Sequence, residues 1–103
     1  MKEIDIQNSI RLALTPYAQI FRGNVGKVRM TDGRFFDTGL PKGFCDLFGF
    51  RKSDGKYIFI EVKTDKGKLR KDQEHFIKTM KQYPVIVGVA RSPKEAVELV
   101  KGE

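Results

Sequence analysis

The chain has 103 residues, 40% of them apolar, with a formal net charge of +7 and an estimated pI of 9.7. That length fits one domain over residues 1–103 and leaves no room for a second core. No apolar run approaches the roughly 20 residues that span a membrane, the start Met1-Lys2-Glu3-Ile4-Asp5 is too polar for a signal peptide, and one Cys with one His excludes an internal disulfide and a zinc cluster.

In chain order, residues 3–14 follow helical spacing through Ile6, Ile10, Ala13 and Leu14, continued by Tyr17, and Pro16 ends or breaks the helix. Residues 21–24 read as a connector into a sheet, with Asn24 and Gly26 shaping a turn. Residues 25–31 and 34–37 read as strands joined by an Asp32-Gly33 turn. Two glycines and a proline make 38–43 a loop. Two apolar runs follow, 44–50 and 57–63, with Asp54-Gly55 as a hairpin signal between them. Leu69, Phe76, Ile77 and Met80 mark a helix over about residues 69–82, closed by Tyr83-Pro84. Residues 85–90 are wholly apolar and fit a strand buried on both faces. Ser92-Pro93-Lys94-Glu95 opens a last helix, with Ser as N-cap, Pro at the first helical position and Glu three after the cap. The expected fold is α/β: one small domain in the order α-β-β-β-α-β-α, a mixed central sheet flanked by helices.

The chemistry concentrates on Asp46 and on Glu61-Val62-Lys63, which the hairpin brings together. Residues two apart in a strand share a face. With Asp54-Gly55 alone as the loop, Asp46 faces Lys63 and has Glu61 as its diagonal neighbour. With residues 52–55 all looped out, Asp46 faces Glu61 directly. Either register puts Asp46, Glu61 and Lys63 on one face, with facing Cβ atoms roughly 5 Å apart. A three-residue loop would send the two acids to opposite faces.

Two carboxylates suit a hard divalent cation such as Mg²⁺ or Mn²⁺, which keeps several waters and needs few protein ligands. The Val62 carbonyl would add a third oxygen. Lys63 would orient or deprotonate an attacking water, or stabilise charge developing on phosphorus. The positive net charge favours a polyanion, nucleic acid above all, and Lys63, Lys66, Lys68, Arg70 and Lys71 crowd just after the acids. Lys27, Arg29 and Arg34 lie on the preceding hairpin. For most of these charges a solvated surface is the plainer reading. Glu-x-Lys by itself is a common triplet. Gln73 lies on the core-facing stripe of its helix, which admits either a site role or a helix-end glutamine. Glu3 at the first helix start reads on spacing as an acid favoured by the helix dipole. His75 has no nucleophile to serve. Cys45 reads as a small buried hydrophobe.

Taken together, Glu3-Ile4-Asp5-Ile6-Gln7, residues 21–26, Lys42-Gly43-Phe44-Cys45-Asp46-Leu47, Ile60-Glu61-Val62-Lys63 and Gln73 resemble the PD-(D/E)XK nuclease superfamily. The likeness is closest to the VRR-NUC domain (virus-type replication-repair nuclease) and covers nearly the whole chain. It implies a restriction-endonuclease-like core in which Asp46 and Glu61 bind metal and Lys63 is catalytic, and it raises Glu3 and Gln73 to site candidates. Cys45 stands where the motif's name has Pro, and Arg70-Lys71-Asp72 before Gln73 is more basic than the pattern. The resemblance further implies a Mg²⁺- or Mn²⁺-dependent DNA endonuclease. Such a protein would be a homodimer acting on branched DNA such as four-way (Holliday) junctions, in the cytoplasm of a bacterial or phage-infected cell. The alternative is a non-catalytic basic module that grips nucleic acid within a replication or repair complex.

Overall fold

A computed structural model of the protein describes residues 2–23, 27–37 and 39–102, apart from the side chains of residues 27–29, 35 and 36. The expected turn at Asn24 and Gly26, and Thr38 of the expected loop, lie outside them. Helix α1 spans Glu3–Leu14, β1 Ala18–Arg22, β2 Lys27–Arg29, β3 Phe35–Asp37, β4 Leu47–Arg51, β5 Tyr57–Val62, α2 Lys71–Met80, β6 Ile86–Ala90 and α3 Pro93–Lys101. Four strands form the main sheet in the order β1-β4-β5-β6, while β2 and β3 pair only with each other. β4 runs antiparallel to both β1 and β5, and β6 joins β5 in parallel through α2. Counting the strands of this mixed sheet alone, the order is α-β-β-β-α-β-α.

The sheet's two faces differ, and β5 explains why. Ile58, Ile60 and Val62 alternate onto one face, where they are buried with Leu47 against Ile6, Ile10 and Leu14 of α1 and Ala96 and Val100 of α3. Burying each large aliphatic side chain there stabilises the fold by roughly 1.5–3 kcal/mol. Phe59, Glu61 and Lys63 alternate onto the other face. There Phe44 lies at the centre of an aromatic cluster, its ring centroid 5.4, 6.2 and 5.3 Å from those of Phe48, Phe59 and Phe76. Phe76 brings α2 onto this face, and Phe44 brings in the loop that leads to Asp46. Tyr57 at the far end of β5 is exposed, so the face closes only toward Glu61 and Lys63.

Three elements differ from expectation. Residues 18–22, of which 21 and 22 read as the start of a connector, form an edge strand. Five residues with two exposed neighbours at the end show too little alternation to announce it. Its place on the sheet depends on Gly49, where a Cβ would collide with Gln19 O. β4 starts at Leu47 instead of Phe44, because the chain bends at Asp46 as it enters the sheet. The apolar strand β6 is an edge strand; it is largely buried because α3 packs on it, with Leu99 close over Gly88. Ser92 Oγ caps α3 by accepting the Glu95 N–H at 3.2 Å, with Pro93 in the first turn.

Candidate active site

Loop length fixes the register, and the register assembles the site. Leu47 pairs with Ile60, Phe48 with Phe59, Gly49 with Ile58 and Phe50 with Tyr57. Beyond Arg51 and Lys56, joined by a backbone hydrogen bond of 2.9 Å, residues 52–55 loop out. Of the two lengths that bring the acids together, the chain therefore uses four, and one further step of the register sets Asp46 across from Glu61. Arg51 holds the loop through Nε and Nη2 donated to the Asp54 carboxylate at 3.1 and 2.6 Å. That pairing draws the Asp54 carboxyl down to about 2. Gly55 makes the return at φ +75°, a backbone region that side chains disfavour.

Asp46 sits at the bend, and its Oδ2 accepts the Val62 N–H at 2.8 Å. The N–H and C=O of one strand residue look to the same side of the strand. Val62 thus turns its carbonyl toward Asp46 as well. Glu61, 1% exposed, is among the most buried side chains in the protein. Burial, then hydrogen bonding and repulsion from Asp46, push its carboxyl up to about 9, with Lys63 pulling it down and Glu3 adding the weakest upward push. Two carboxylates this close resist joint ionisation in a dry site.

Gln73, in the first turn of α2, closes the other side. Its Nε2 donates to Glu61 Oε1 at 2.9 Å, and its Oε1 accepts the Arg70 N–H at the same distance. The second bond satisfies a helix-end donor and fixes which end of the amide faces the acid. Lys63 is 7% exposed and next to Glu61 on the same face. Its N–H donates to Ala90 O at 3.2 Å. Asp46, Glu61, Val62, Lys63 and Gln73 converge on one end of the sheet, and Glu3 approaches from the start of α1.

The donor set fits a divalent cation of the magnesium type. It offers two carboxylates and one backbone carbonyl, hard oxygens all, and a buried Glu61 beside a half-buried Asp46 whose repulsion such an ion relieves. Among the described residues no group of three or more His, Cys, Asp or Glu side chains forms a metal cage. Any ion here would therefore keep ligands from water or substrate. His75 is exposed on α2. Cys45 is buried beside the acids, its Sγ donating to Leu47 O at 3.0 Å. Burial and the Glu61 charge push its thiol up to about 12, so it packs and does not attack.

Lys66, Lys68, Arg70 and Lys71 form an exposed basic rim beside this end of the sheet. Arg70 of the rim is paired with Asp72 at 3.3 Å, and Arg34, exposed too, with Asp32 at 2.7 Å. The side chains of Lys27 and Arg29 lie outside the described residues.

Two contributors escaped the sequence reading. Gly43 stands at φ +90° against α2, where a Cβ would be 2.5 Å from Asp72 O. It sits three residues before Asp46 in a stretch already singled out, so its close approach was open to inference. Arg91 binds the turn that follows Lys63. Its only signal was a charge wedged between an apolar strand and a helix cap.

No helix among the described residues is long and apolar enough to cross a membrane. No curated protein matches the chain. The sequence profile of the VRR-NUC domain matches residues 29–94, from the end of β2 into the first turn of α3, a stretch that takes in every residue of the convergence except Glu3. On that match, covering more than half of its length, the chain belongs to the VRR-NUC family of nuclease domains, whose substrate is DNA.

Proposed function

We propose that the protein is a Mg²⁺- or Mn²⁺-dependent DNA endonuclease whose site is Asp46, Glu61, Lys63, Gln73 and Glu3. The observation that carries this reading is the Asp46–Glu61 pair, Asp46 at the bend into β4 and Glu61 on the adjoining β5, with Glu61 buried and its carboxyl raised to about 9. Asp46, Glu61 and the Val62 carbonyl would hold the ion. A bound divalent cation supplies Lewis-acid neutralisation of charge on the phosphodiester. The protein's own groups do the rest. Gln73 fixes one Glu61 oxygen and leaves the other for the ion. Lys63 orients the attacking water, takes its proton, or offers its charge to the oxygens on phosphorus as they become more negative. Glu3 contributes negative charge from the far side. In-line attack by water leaves a 5′-phosphate and a 3′-hydroxyl.

The exposed rim of Lys66, Lys68, Arg70 and Lys71 suits contacts to phosphates, which position a duplex without reading its sequence. A small domain with such a rim selects by DNA shape, hence branched DNA such as a four-way junction. Cutting both arms of a junction would take two sites related by a twofold axis, hence a homodimer. The rim alone would equally serve a binding module. The buried Glu61, set against Asp46, argues against that reading, because it is costly and useless to a protein that only grips phosphates.

The test is a panel of four-way junction, linear duplex, single strand and RNA incubated with Mg²⁺ or Mn²⁺. Parent protein is run beside Asp46→Asn and Lys63→Ala. The proposal expects metal-dependent cutting by the parent, strongest on the junction, and none by either variant at unchanged fold. Equal cutting by parent and variants would overturn the site. Salt-sensitive binding without cutting on any substrate would favour the non-catalytic module.

A further inference from the structure

We propose that Arg91 is a positioning residue for Lys63, acting through the turn of residues 64–67; this rests on the nuclease reading above. Arg91 leaves β6 directly after Ala90, whose carbonyl accepts the Lys63 N–H. Its Nη1 donates to Thr64 O at 2.6 Å and to Gly67 O at 2.7 Å, with Asp65 O at 3.5 Å. The Arg91 N–H is itself anchored, donating to Glu95 Oε1 at 2.8 Å in the first turn of α3. A line of contacts thus runs from the α3 N-terminus through Arg91 to both ends of the turn.

The turn bears on the lysine. It is closed by the Gly67 N–H on Thr64 O at 3.1 Å. Gly67 lies alongside the lysine: a Cβ there would be in ordinary van der Waals contact with Lys63 Cδ, at 3.4 Å, and tighter only against Thr64 Oγ1, at 3.2 Å. A lysine chain has several rotatable bonds, and burial alone does not aim its ammonium group. Gly67 flanks the Lys63 stem, and the charge-assisted bonds from Arg91 hold that flank in place. No carboxylate among the described residues lies within ion-pair distance of Arg91. Its Nη1 is committed to backbone carbonyls, as a strut is. The competing role is a phosphate contact, since Arg91 also lines a cleft of about 610 Å³ with Lys66, Ser9 and Ser92.

The two roles separate in kinetics. Parent, Arg91→Ala and Arg91→Lys are compared for kcat and KM on a cleaved substrate. Affinity for the same DNA in Ca²⁺ is measured across salt, and amide hydrogen exchange at Lys63 and Gly67 is followed. The strut predicts a kcat lower by roughly 10–100-fold in Arg91→Ala, the scale of a misplaced catalytic group. It also predicts unchanged KM and salt slope, faster exchange at Gly67, and substantial recovery in Arg91→Lys. A raised KM with the salt slope reduced by about one contact and kcat intact would make Arg91 a phosphate ligand and overturn the proposal. Unchanged kinetics would overturn it as well. Should Arg91→Ala not fold, Arg91→Gln, whose shorter side chain gives up the reach to Thr64 O and Gly67 O, takes its place and must lower kcat at constant KM. Should the parent cut nothing, the nuclease reading fails, and exchange still decides the strut: unchanged protection at Gly67 and Lys63 in Arg91→Ala rules it out.

Discussion

Gln73 donates to Glu61 across 2.9 Å, tying the N-terminus of α2 to an acid on β5 that lies 12 residues earlier in the chain. Because the amide oxygen is spent on the Arg70 N–H, only the donor end faces the carboxylate. Gln73→Glu separates the two jobs. A carboxylate keeps the cap, and a negative charge is welcome in the first turn of a helix. Toward Glu61, however, it offers an acceptor where a donor is needed. Mn²⁺ affinity by calorimetry and the cleavage rate should each fall by roughly 10–100-fold, as is usual when a ligand's supporting partner is lost. The thermal midpoint should fall too, because Gln73 is buried against Glu61 and the new carboxylate loses a hydrogen bond there. Unchanged metal affinity would make Gln73 a cap and nothing more.

The raised Glu61 carboxyl is also a statement about stability. Its folded value, about 9, lies above the ordinary 4.5, so the folded state prefers the protonated acid. That preference is fully present below about 4.5 and is lost as pH climbs through 9. In EDTA, stability from urea denaturation should therefore decline between pH 5 and 9, with a slope from this group of at most about 1.4 kcal/mol per pH unit. Glu61→Gln keeps a neutral group of the same shape and should flatten the decline. An equal slope in both proteins would mean that Glu61 is ionised when folded.

Metal binding at the proposed site must then displace a proton. At pH 7, titration with Mn²⁺ in two buffers of different ionisation enthalpy should report release of close to one proton, and affinity should rise with pH up to about 9. Saturation stabilises the fold, by about 2.7 kcal/mol when the ion is at 100 times its Kd. Asp46→Asn should abolish both the proton release and the gain in thermal midpoint. Proton release that survives in Asp46→Asn would place the ion elsewhere.

Much of this was legible because it is local. The parity of 44–50 against 57–63 limited the acids to one face for two of three loop lengths, and Asp54-Gly55 announced the return. Which length the chain uses was not legible. It depends on Arg51, whose guanidinium grips Asp54 and also donates to Val100 O at 2.7 Å on the distant α3. Helical spacing put Gln73 toward the core but named no partner, since Glu61 arrives from another element. β1 was missed because an edge strand needs little alternation of its own when its neighbour supplies the pairing. Arg91 was invisible because its partners are backbone carbonyls, which have no letter in the sequence.

The placement of α2 against the entry to Asp46 yields a last prediction, from two glycines four residues apart. Gly39 and Gly43 both have positive φ, +79° and +90°. A side chain at either is strained by its backbone, at a cost of roughly 1–2 kcal/mol. They differ in surroundings. Around a Cβ at Gly39 nothing stands within 4 Å, whereas one at Gly43 would meet Asp72 O at 2.5 Å and Asp72 Cβ at 3.2 Å. Asp72 precedes Gln73 directly, and its Oδ1 accepts the Gln73 N–H at 3.0 Å. Gly43→Ala must push the first turn of α2 away from the sheet and draw Gln73 off Glu61. Gly39→Ala should therefore lower stability by about its backbone strain and leave cleavage per folded molecule intact. Gly43→Ala should cost more, about 2–4 kcal/mol with strain and displacement together, and cut the rate per folded molecule in step with Gln73→Glu. Unfolding curves give the first comparison and single-turnover cleavage the second. Equal effects from the two substitutions would mean that α2 tolerates the shift, and that the contact between Gly43 and Asp72 does not set the site.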